Sequence, residues 1–305
     1  MGELSLPELG WQPFFDQQVS VEESREKLVA RVIAHHGSRI LFAAELGELN
    51  APTSIIEPNE IQSGYSNIAV GDWFLLEKES HRCVRLLERK TILARKAAGE
   101  EVRPQLIASN VDTAFIVSSC NQDFNLSRIE RYLALVLESG CHPVVVLTKS
   151  DLCEDSASLR QQVEKIQSGL IVETLDARDA NQATVLDYWC RTGQTVALLG
   201  SSGVGKSTLT NAMGDHDIKT NEVREVDAKG RHTTTARSIH RLKAGGWLID
   251  NPGMRELQLG ACDEGVAELF DDIIELAGHC RFCSDSNLRK LSNLRVSNSP
   301  ESMAF

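Results

Sequence analysis

No stretch of this sequence approaches the ~18 consecutive apolar residues that a membrane-spanning helix needs. No membrane association is therefore expected. The opening segment, Met1 to Gly10, is acidic and has neither a positive leading region nor an apolar core, so it does not read as a secretory signal. The eight cysteines are scattered, and only Cys280 and Cys283 stand close together. That spacing does not make a disulfide framework; it suits free thiols in a reducing cytoplasm. A basic excess is missing too: 32 Lys and Arg stand against 43 Asp and Glu, a formal net charge of −11. Proteins that bind nucleic acid broadly are basic, so any RNA contact is expected to be local. Aromatics are sparse at 5%, which leaves few platforms on which bases could stack. No internal repeat is visible.

What is present suits a globular chain of about two domains: 305 residues, 42% hydrophobic and 25% charged. Residues 1–27 read as a polar, acidic arm with Trp11, Phe14 and Phe15 as apolar anchors, partly helical near Val21 to Leu28. Short β-type runs follow: Leu28 to Ala34, Arg39 to Ala44, Trp73 to Leu76 and Cys83 to Leu87, with turn signals between them. Such runs without a long helix predict a small β-barrel over 28–103. Arg82, Arg85, Arg89, Lys90, Arg95, Lys96 and Arg103 form a basic strip that is either a solvated surface or a phosphate-facing one. Over 104–262, strand and helix patterns alternate: strands at Val111 to Ser118, Pro143 to Leu147, Leu170 to Glu173, Thr195 to Leu199 and Trp247 to Asp250. Helices are predicted at Leu126 to Ser139, Ser156 to Gln167 and Gln182 to Cys190. This alternation predicts a mostly parallel sheet with helices on both faces, an α/β fold. Residues 263–305 begin with a helical pattern and end in a Ser- and Asn-rich tail.

The strongest chemical signal is Gly200-Ser201-Ser202-Gly203-Val204-Gly205-Lys206-Ser207-Thr208, which fits G-x-x-x-x-G-K-[ST] after a strand and before a helix. Its glycines let backbone N–H groups point at phosphate oxygens, and the helix N-terminus favours the anion. Lys206 is expected to reach the β- and γ-phosphates and Ser207 to bind Mg²⁺. Thr148-Lys149-Ser150-Asp151, at the C-terminal end of a strand, selects the base. A carboxylate at Asp151 accepts from both N1–H and the 2-amino group of guanine; adenine offers neither donor, a mismatch worth roughly 10⁴-fold. Lys149 lays its stem over the purine. Asp250-Asn251-Pro252-Gly253 places Asp250 to hold Mg²⁺ through water and the Gly253 amide to meet the γ-phosphate. Arg231-His232-Thr233-Thr234-Thr235 lies where a first switch belongs, with Thr235, then Thr234, favoured to close on Mg²⁺. In Leu175-Asp176-Ala177-Arg178 the Ala177 amide is placed to back the guanine.

The base-reading motif precedes the phosphate loop, the reverse of the usual small GTPase. That order, with Arg89-Lys90-Thr91, Gln105 to Asp112, Asp250 to Glu256 and Cys280-Arg281-Phe282, resembles the circularly permuted GTPases of the ribosome small-subunit-dependent GTPase A family (RsgA, also YjeQ) over roughly residues 28–283. The resemblance implies an N-terminal OB-fold, a permuted GTPase domain and a C-terminal zinc-binding region. It implies GTP hydrolysis in late maturation of the small ribosomal subunit, with that subunit and its rRNA as partners. Met254 stands where many GTPases carry a water-orienting Gln, and the family offers His232 as substitute; an exposed loop histidine is the alternative. The family's zinc spacing, roughly Cys-x₄-Cys-x-His-x₅-Cys, is not met. His279, Cys280 and Cys283 supply at most three donors where a closed site needs four. The expectation is a cytoplasmic, monomeric GTP hydrolase using Mg²⁺. A nucleotide-dependent RNA-binding switch with negligible turnover is the rival. A metabolic kinase or ATPase leaves Thr148 to Asp151 and the barrel unexplained.

Overall fold

The computed structural model describes residues 4–36, 38–55, 68–96, 104–215 and 237–250. All of them lie in the first of the chain's two units, residues 1–257; the second is residues 258–305. Among the described residues no helix is long and apolar enough to cross a membrane.

Two short helices open the chain, Pro13–Asp16 (α1) and Val21–Glu26 (α2). A reciprocal capping box starts α2: the Ser20 hydroxyl accepts from the Glu23 amide, and the Glu23 carboxylate accepts from the Ser20 amide. Strands Lys27–His36 (β1), Arg39–Ala44 (β2) and Gly47–Pro52 (β3) form an antiparallel meander. Trp73–Glu77 (β4) pairs with the first half of β1 and with Cys83–Leu86 (β5). Alternate residues Leu28, Ala30 and Val32 of β1 join Ile40, Phe42, Phe74 and Leu76 in one core, as period-two side chains must. Ile92–Lys96 (β6) and Pro104–Ser109 (β7) pair with each other as a separate antiparallel two-stranded sheet, so the segments on either side of residue 103 are joined.

The rest is α/β. Thr113–Ser119 (β8), Leu126–Glu138 (α3), His142–Thr148 (β9), Ser156–Glu164 (α4), Ile171–Thr174 (β10), Ala180–Ala183 (α5), Thr195–Leu199 (β11) and Lys206–Met213 (α6) follow in order. Arg237–Arg241 (β12) and Trp247–Asp250 (β13) end the described chain. The parallel strands stand in the order β10-β9-β8-β11-β13. All seven residues of β8 are buried, as in a sheet covered on both faces. On one face Phe115, Val117, Val144 and Val196 meet Leu209 and Met213 of α6; α3 packs on β8 and β9.

The expected parallel block is present, with three differences. The β-rich N-terminal half does not stand apart, because β12 pairs antiparallel with β13 and with β1. One sheet therefore runs through both halves, and β1 covers an edge that would otherwise expose unpaired backbone groups. Residues 184–189, expected to be helical, are a 3₁₀ turn after the short α5. Strand β3 was not anticipated; its sequence, GELNAP, buries only Ala51, so no apolar alternation announces it.

The arm and the basic strip also differ from expectation. Leu9 and Phe15 are 1% exposed, and the Trp11 ring meets Trp73 edge-on at 5.0 Å. The Glu8 carbonyl accepts from Trp247 Nε1 at 2.7 Å, tying the arm to β13. Three cations of the strip are engaged internally, two of them, Arg85 and Lys90, with the arm. Arg85 pairs with Glu23 at 3.1 Å. Arg89 pairs with Asp72 at 2.7 Å, both side chains being buried, because a buried carboxylate requires a partner. Lys90 donates to Gln12 at 2.7 Å and to Asp112 at 3.3 Å. Nor do Phe42, Trp73 and Phe74 offer stacking platforms; all three are core residues. The Arg95 and Lys96 side chains, Arg103 and Tyr65 lie outside the described residues.

Arg31, on the face of β1 opposite the Leu28–Ala30–Val32 row, joins the two halves. It is 1% exposed, donates to the Leu9 carbonyl and to Thr195 Oγ1 at 2.8 Å, and its guanidinium sits 5.5 Å from the Trp73 ring centroid. Burial pushes its pKa down to about 10 although Asp112 and Asp72 pull the other way, so it stays charged at neutral pH. Arg31→Ala is expected to lower unfolding stability by about 3 kcal/mol, and Arg31→Met, which fills the volume, by less; urea unfolding of both variants checks this. Glu23 behaves differently: the Arg85 bond brings its pKa from 4.5 down to about 2. A depressed carboxylate stabilises the fold above its unfolded pKa. The small Glu23 contribution is therefore full above pH 4.5 and fades as pH falls through about 2, absent in Glu23→Gln on acid titration.

Candidate nucleotide site

Because β9, β8, β11 and β13 are parallel, their C-terminal ends share one edge of the sheet, where open α/β folds bind ligands. That edge carries the base-reading motif after β9, the phosphate loop after β11 and Asp250 at the end of β13. Segments 50 residues apart in sequence therefore meet.

The contact between them is the Thr148 side chain. Fully buried, its hydroxyl shares its proton between the Ser118 carbonyl at 3.1 Å and the Val204 carbonyl inside the phosphate loop. Gly205 passes close over this residue: a Cβ there would lie 3.3 Å from Thr148 Oγ1, and its φ of +98° is a left-handed conformation. Gly200 is more constrained, since a Cβ would come within 2.3 Å of the Val117 carbonyl oxygen. These two glycines are thus fixed by a tight bend over the ends of β8 and β9.

Within the loop Lys206 is 8% exposed, and its Nζ donates to the carbonyls of Gly200, at 2.7 Å, and Ser201. The ammonium is thereby held at the loop's mouth, where a phosphate oxygen would compete for it. Gly205 caps α6 without a side chain, so the helix presents its first amides and positive end outward, a ready site for an anion. Val204 is buried and anchors the loop in the core; Ser202, Gly203 and Thr208 are exposed. No motif marks Arg128 on α3, whose Nη1 donates to Ser201 Oγ at 3.0 Å. Only the packing of α3 beside the loop brings it there.

The loop after β9, which carries the expected base-reading motif, is shaped by Lys149, whose φ of +57° is rare for a residue with a side chain. A 3₁₀ turn, Ser150–Leu152, follows. The Ser150 amide donates to the Leu175 carbonyl at 3.4 Å, and the Leu175 amide donates to the Leu147 carbonyl at 2.9 Å, so the loop after β10 is brought alongside. Ala177 in that loop is buried. Asp151 has a partner on the neighbouring loop: Arg178 Nη2 donates to its Oδ2 at 2.6 Å.

His232, Thr234, Thr235, Gly253, Cys280, Cys283 and the Asp250 side chain lie outside the described residues. Backbone pairing sets Asp250 opposite Ser238 at the end of β13. Among the described residues no group of three or more His, Cys, Asp or Glu is arranged to hold a metal.

A glycine loop closing on a helix N-terminus, a Lys in its mouth and a carboxylate at the end of a strand on the same sheet edge together define a P-loop nucleotide-binding protein with permuted motif order. The model of the RsgA GTPase family matches residues 86–260. The small ribosomal subunit biogenesis GTPase RsgA 2 of Vibrio parahaemolyticus is 53% identical over 278 residues, 91% of this chain and 75% of that one. The RsgA of Mesorhizobium japonicum is 46% identical over 282 residues, 91% and 79% of the two chains. Among solved structures, YjeQ from Thermotoga maritima aligns with a TM-score of 0.57 at 23% identity, over 76% of this chain and 77% of that one. YloQ, a circularly permuted GTPase, aligns with a TM-score of 0.57 at 23% identity over 84% and 82%. The chain belongs to the RsgA GTPase family.

Thr148→Val is expected to weaken guanine-nucleotide binding about tenfold and to lower stability by about 2 kcal/mol, since it deletes the hydroxyl's hydrogen bonds to the buried Val204 and Ser118 carbonyls, while Thr148→Ser retains most of both. Nucleotide titration and urea unfolding of the pair check this.

Proposed function

We propose that this chain hydrolyses GTP to GDP and phosphate in the maturation of the small ribosomal subunit. Family membership supports the activity, and the relatives, named as small ribosomal subunit biogenesis GTPases, suggest the setting. The observation that carries the reading is the Thr148 hydroxyl bridge, because it puts the base-reading and phosphate loops within reach of one nucleotide.

In this reading Gly200 to Thr208 wrap the phosphates, with Lys206 leaving its two carbonyls for phosphate oxygens. Asp151 accepts from the guanine edge, Lys149 covers its face, and Ser150 and Ala177 lie beside it. Water attacks the γ-phosphorus, the bond from that phosphorus to the β–γ bridging oxygen breaks, and GDP leaves with the electron pair. Lys206 and the first amides of α6 stabilise the charge that gathers on those oxygens. Mg²⁺ fits the donor set at this edge, a Ser207 hydroxyl at the start of α6 and Asp250 at the end of β13. When bound it would neutralise charge on the β- and γ-oxygens. Thr235 or Thr234, Gly253 and His232 are the proposed switch residues. Zn²⁺ does not fit: Cys280 and Cys283 with His279 fall short of a closed four-donor site, and no step depends on it.

The N-terminal strands are proposed as an OB-fold barrel over 28–103, preceded by the arm 1–27 and followed by a GTPase domain over 104–262 and a C-terminal region over 263–305. Binding to rRNA, a monomeric state and a cytoplasmic location complete the proposal. With Arg85, Arg89 and Lys90 engaged internally, rRNA contact falls to other surfaces.

Steady-state turnover with and without purified small ribosomal subunits, with ATP as control, tests this function. The expected outcome is GTP-specific hydrolysis stimulated by the subunits and reduced at least about 100-fold in Lys206→Ala. Tight GTP binding with no stimulated turnover would replace the hydrolase by a nucleotide-dependent RNA-binding switch.

A further inference from the structure

Arg178 follows Ala177 in the loop after β10. Its amide donates to Asp176 Oδ1 at 2.9 Å, its Nε donates to the same oxygen at 3.2 Å, and its Nη2 donates to Asp176 Oδ2 at 3.1 Å. Backbone and side chain of one residue thus converge on one carboxylate. Asp176 is itself steadied, its amide donating to Gln182 Oε1 at 2.9 Å. A planar guanidinium gripped along its Nε–Nη2 edge by both oxygens of one carboxylate has lost much of its rotamer freedom before it meets anything else. From that fixed position Nη2 also donates to Asp151 Oδ2 at 2.6 Å. The mutual attraction holds Asp176 below the usual carboxylate range and raises Arg178 above its ordinary value.

Stability does not account for this arrangement. The Arg178 side chain is 67% exposed, and exposed ion pairs contribute little. What the fork does is orient. A carboxylate ending a two-torsion side chain turns freely unless one oxygen is held. Guanine presents N1–H and the 2-amino group side by side, and both are met only when the two carboxylate oxygens lie in the plane of the base. Each carboxylate oxygen has two lone pairs, so Oδ2 can accept from Arg178 and still face the base.

We propose that Arg178 is a positioning residue that sets guanine selectivity: anchored on Asp176, it fixes the plane of the Asp151 carboxylate so that both oxygens meet the base at once. This rests on the base-reading role of Asp151 proposed above. Hypoxanthine nucleotides, which keep N1–H and lack the 2-amino group, need only one oxygen and gain little from a fixed plane. Loss of Arg178 therefore costs guanine more than hypoxanthine, whereas a general loss of loop structure or of positive charge would cost both alike.

The test is equilibrium binding of fluorescent GDP, IDP and XDP to the full chain and its Arg178→Ala, Arg178→Lys, Asp176→Asn and Asp151→Asn variants. Arg178→Ala is expected to weaken GDP binding about tenfold and IDP binding by no more than about threefold, so that the GDP-to-IDP ratio shrinks. Arg178→Lys recovers part of the ratio, because an ammonium reaches Asp151 without the bidentate anchor on Asp176. Asp176→Asn lowers the ratio while leaving Arg178 in place. An unchanged ratio in Arg178→Ala, or an equal loss for GDP and IDP, overturns the proposal. Asp151→Asn separates the two levels of the argument. A turn from GDP towards XDP, whose 2-oxo group accepts from an amide, upholds the base-reading role even if Arg178 fails. Retention of the GDP preference removes that role and the Arg178 proposal with it.

Discussion

The proposed nucleotide site depends on one buried hydroxyl. Thr148 ends β9 and reaches the carbonyl of Val204, inside the loop that follows β11. The strand order brings the two loops to one edge, and this bridge ties the chain that leads into Lys149 and Asp151 to the loop that carries Gly205 and Lys206. The glycines follow from the same constraint, since a side chain at Gly205 would crowd Thr148 and one at Gly200 would strike β8.

This also explains why permuted motif order is harmless to the site. In a parallel sheet every strand end lies on the same edge, and what matters is spatial order, here β9-β8-β11-β13. The chain can be cut and rejoined elsewhere without moving those ends. In this chain the segment ahead of the permuted domain is built into its sheet: β1 pairs with β12, and Arg31 and Trp247 fasten the arm. Charges that a linear view assigns to a surface strip are taken up by that joint, Arg89 on Asp72 being fully withdrawn from solvent.

The parts legible in the sequence were those set by local pattern. Val144 to Leu147 and Val196 to Leu199 read as buried strands because they are continuous apolar runs, and the phosphate loop read clearly because its spacing is rigid. What escaped was set by contacts between distant segments. Strand β3 is polar and is made a strand by pairing with β2. Nothing in the strand pattern marks Arg31, whose burial comes from the arm, Thr195 and Trp73 meeting around it. Arg178 sat in a weak motif, and its reach to Asp151 depends on β10 lying beside β9. The sequence pattern shows faces of single elements; it does not show which element lies against which.

The central claim is that one guanine nucleotide is held by both loops at once. Hydrogen–deuterium exchange of the full chain with and without saturating GDP tests it most directly. The account predicts that residues 148–152 and 200–208 gain protection together, with half-effects at the same GDP concentration. Protection confined to 200–208, with 148–152 exchanging as in the free chain, would contradict it.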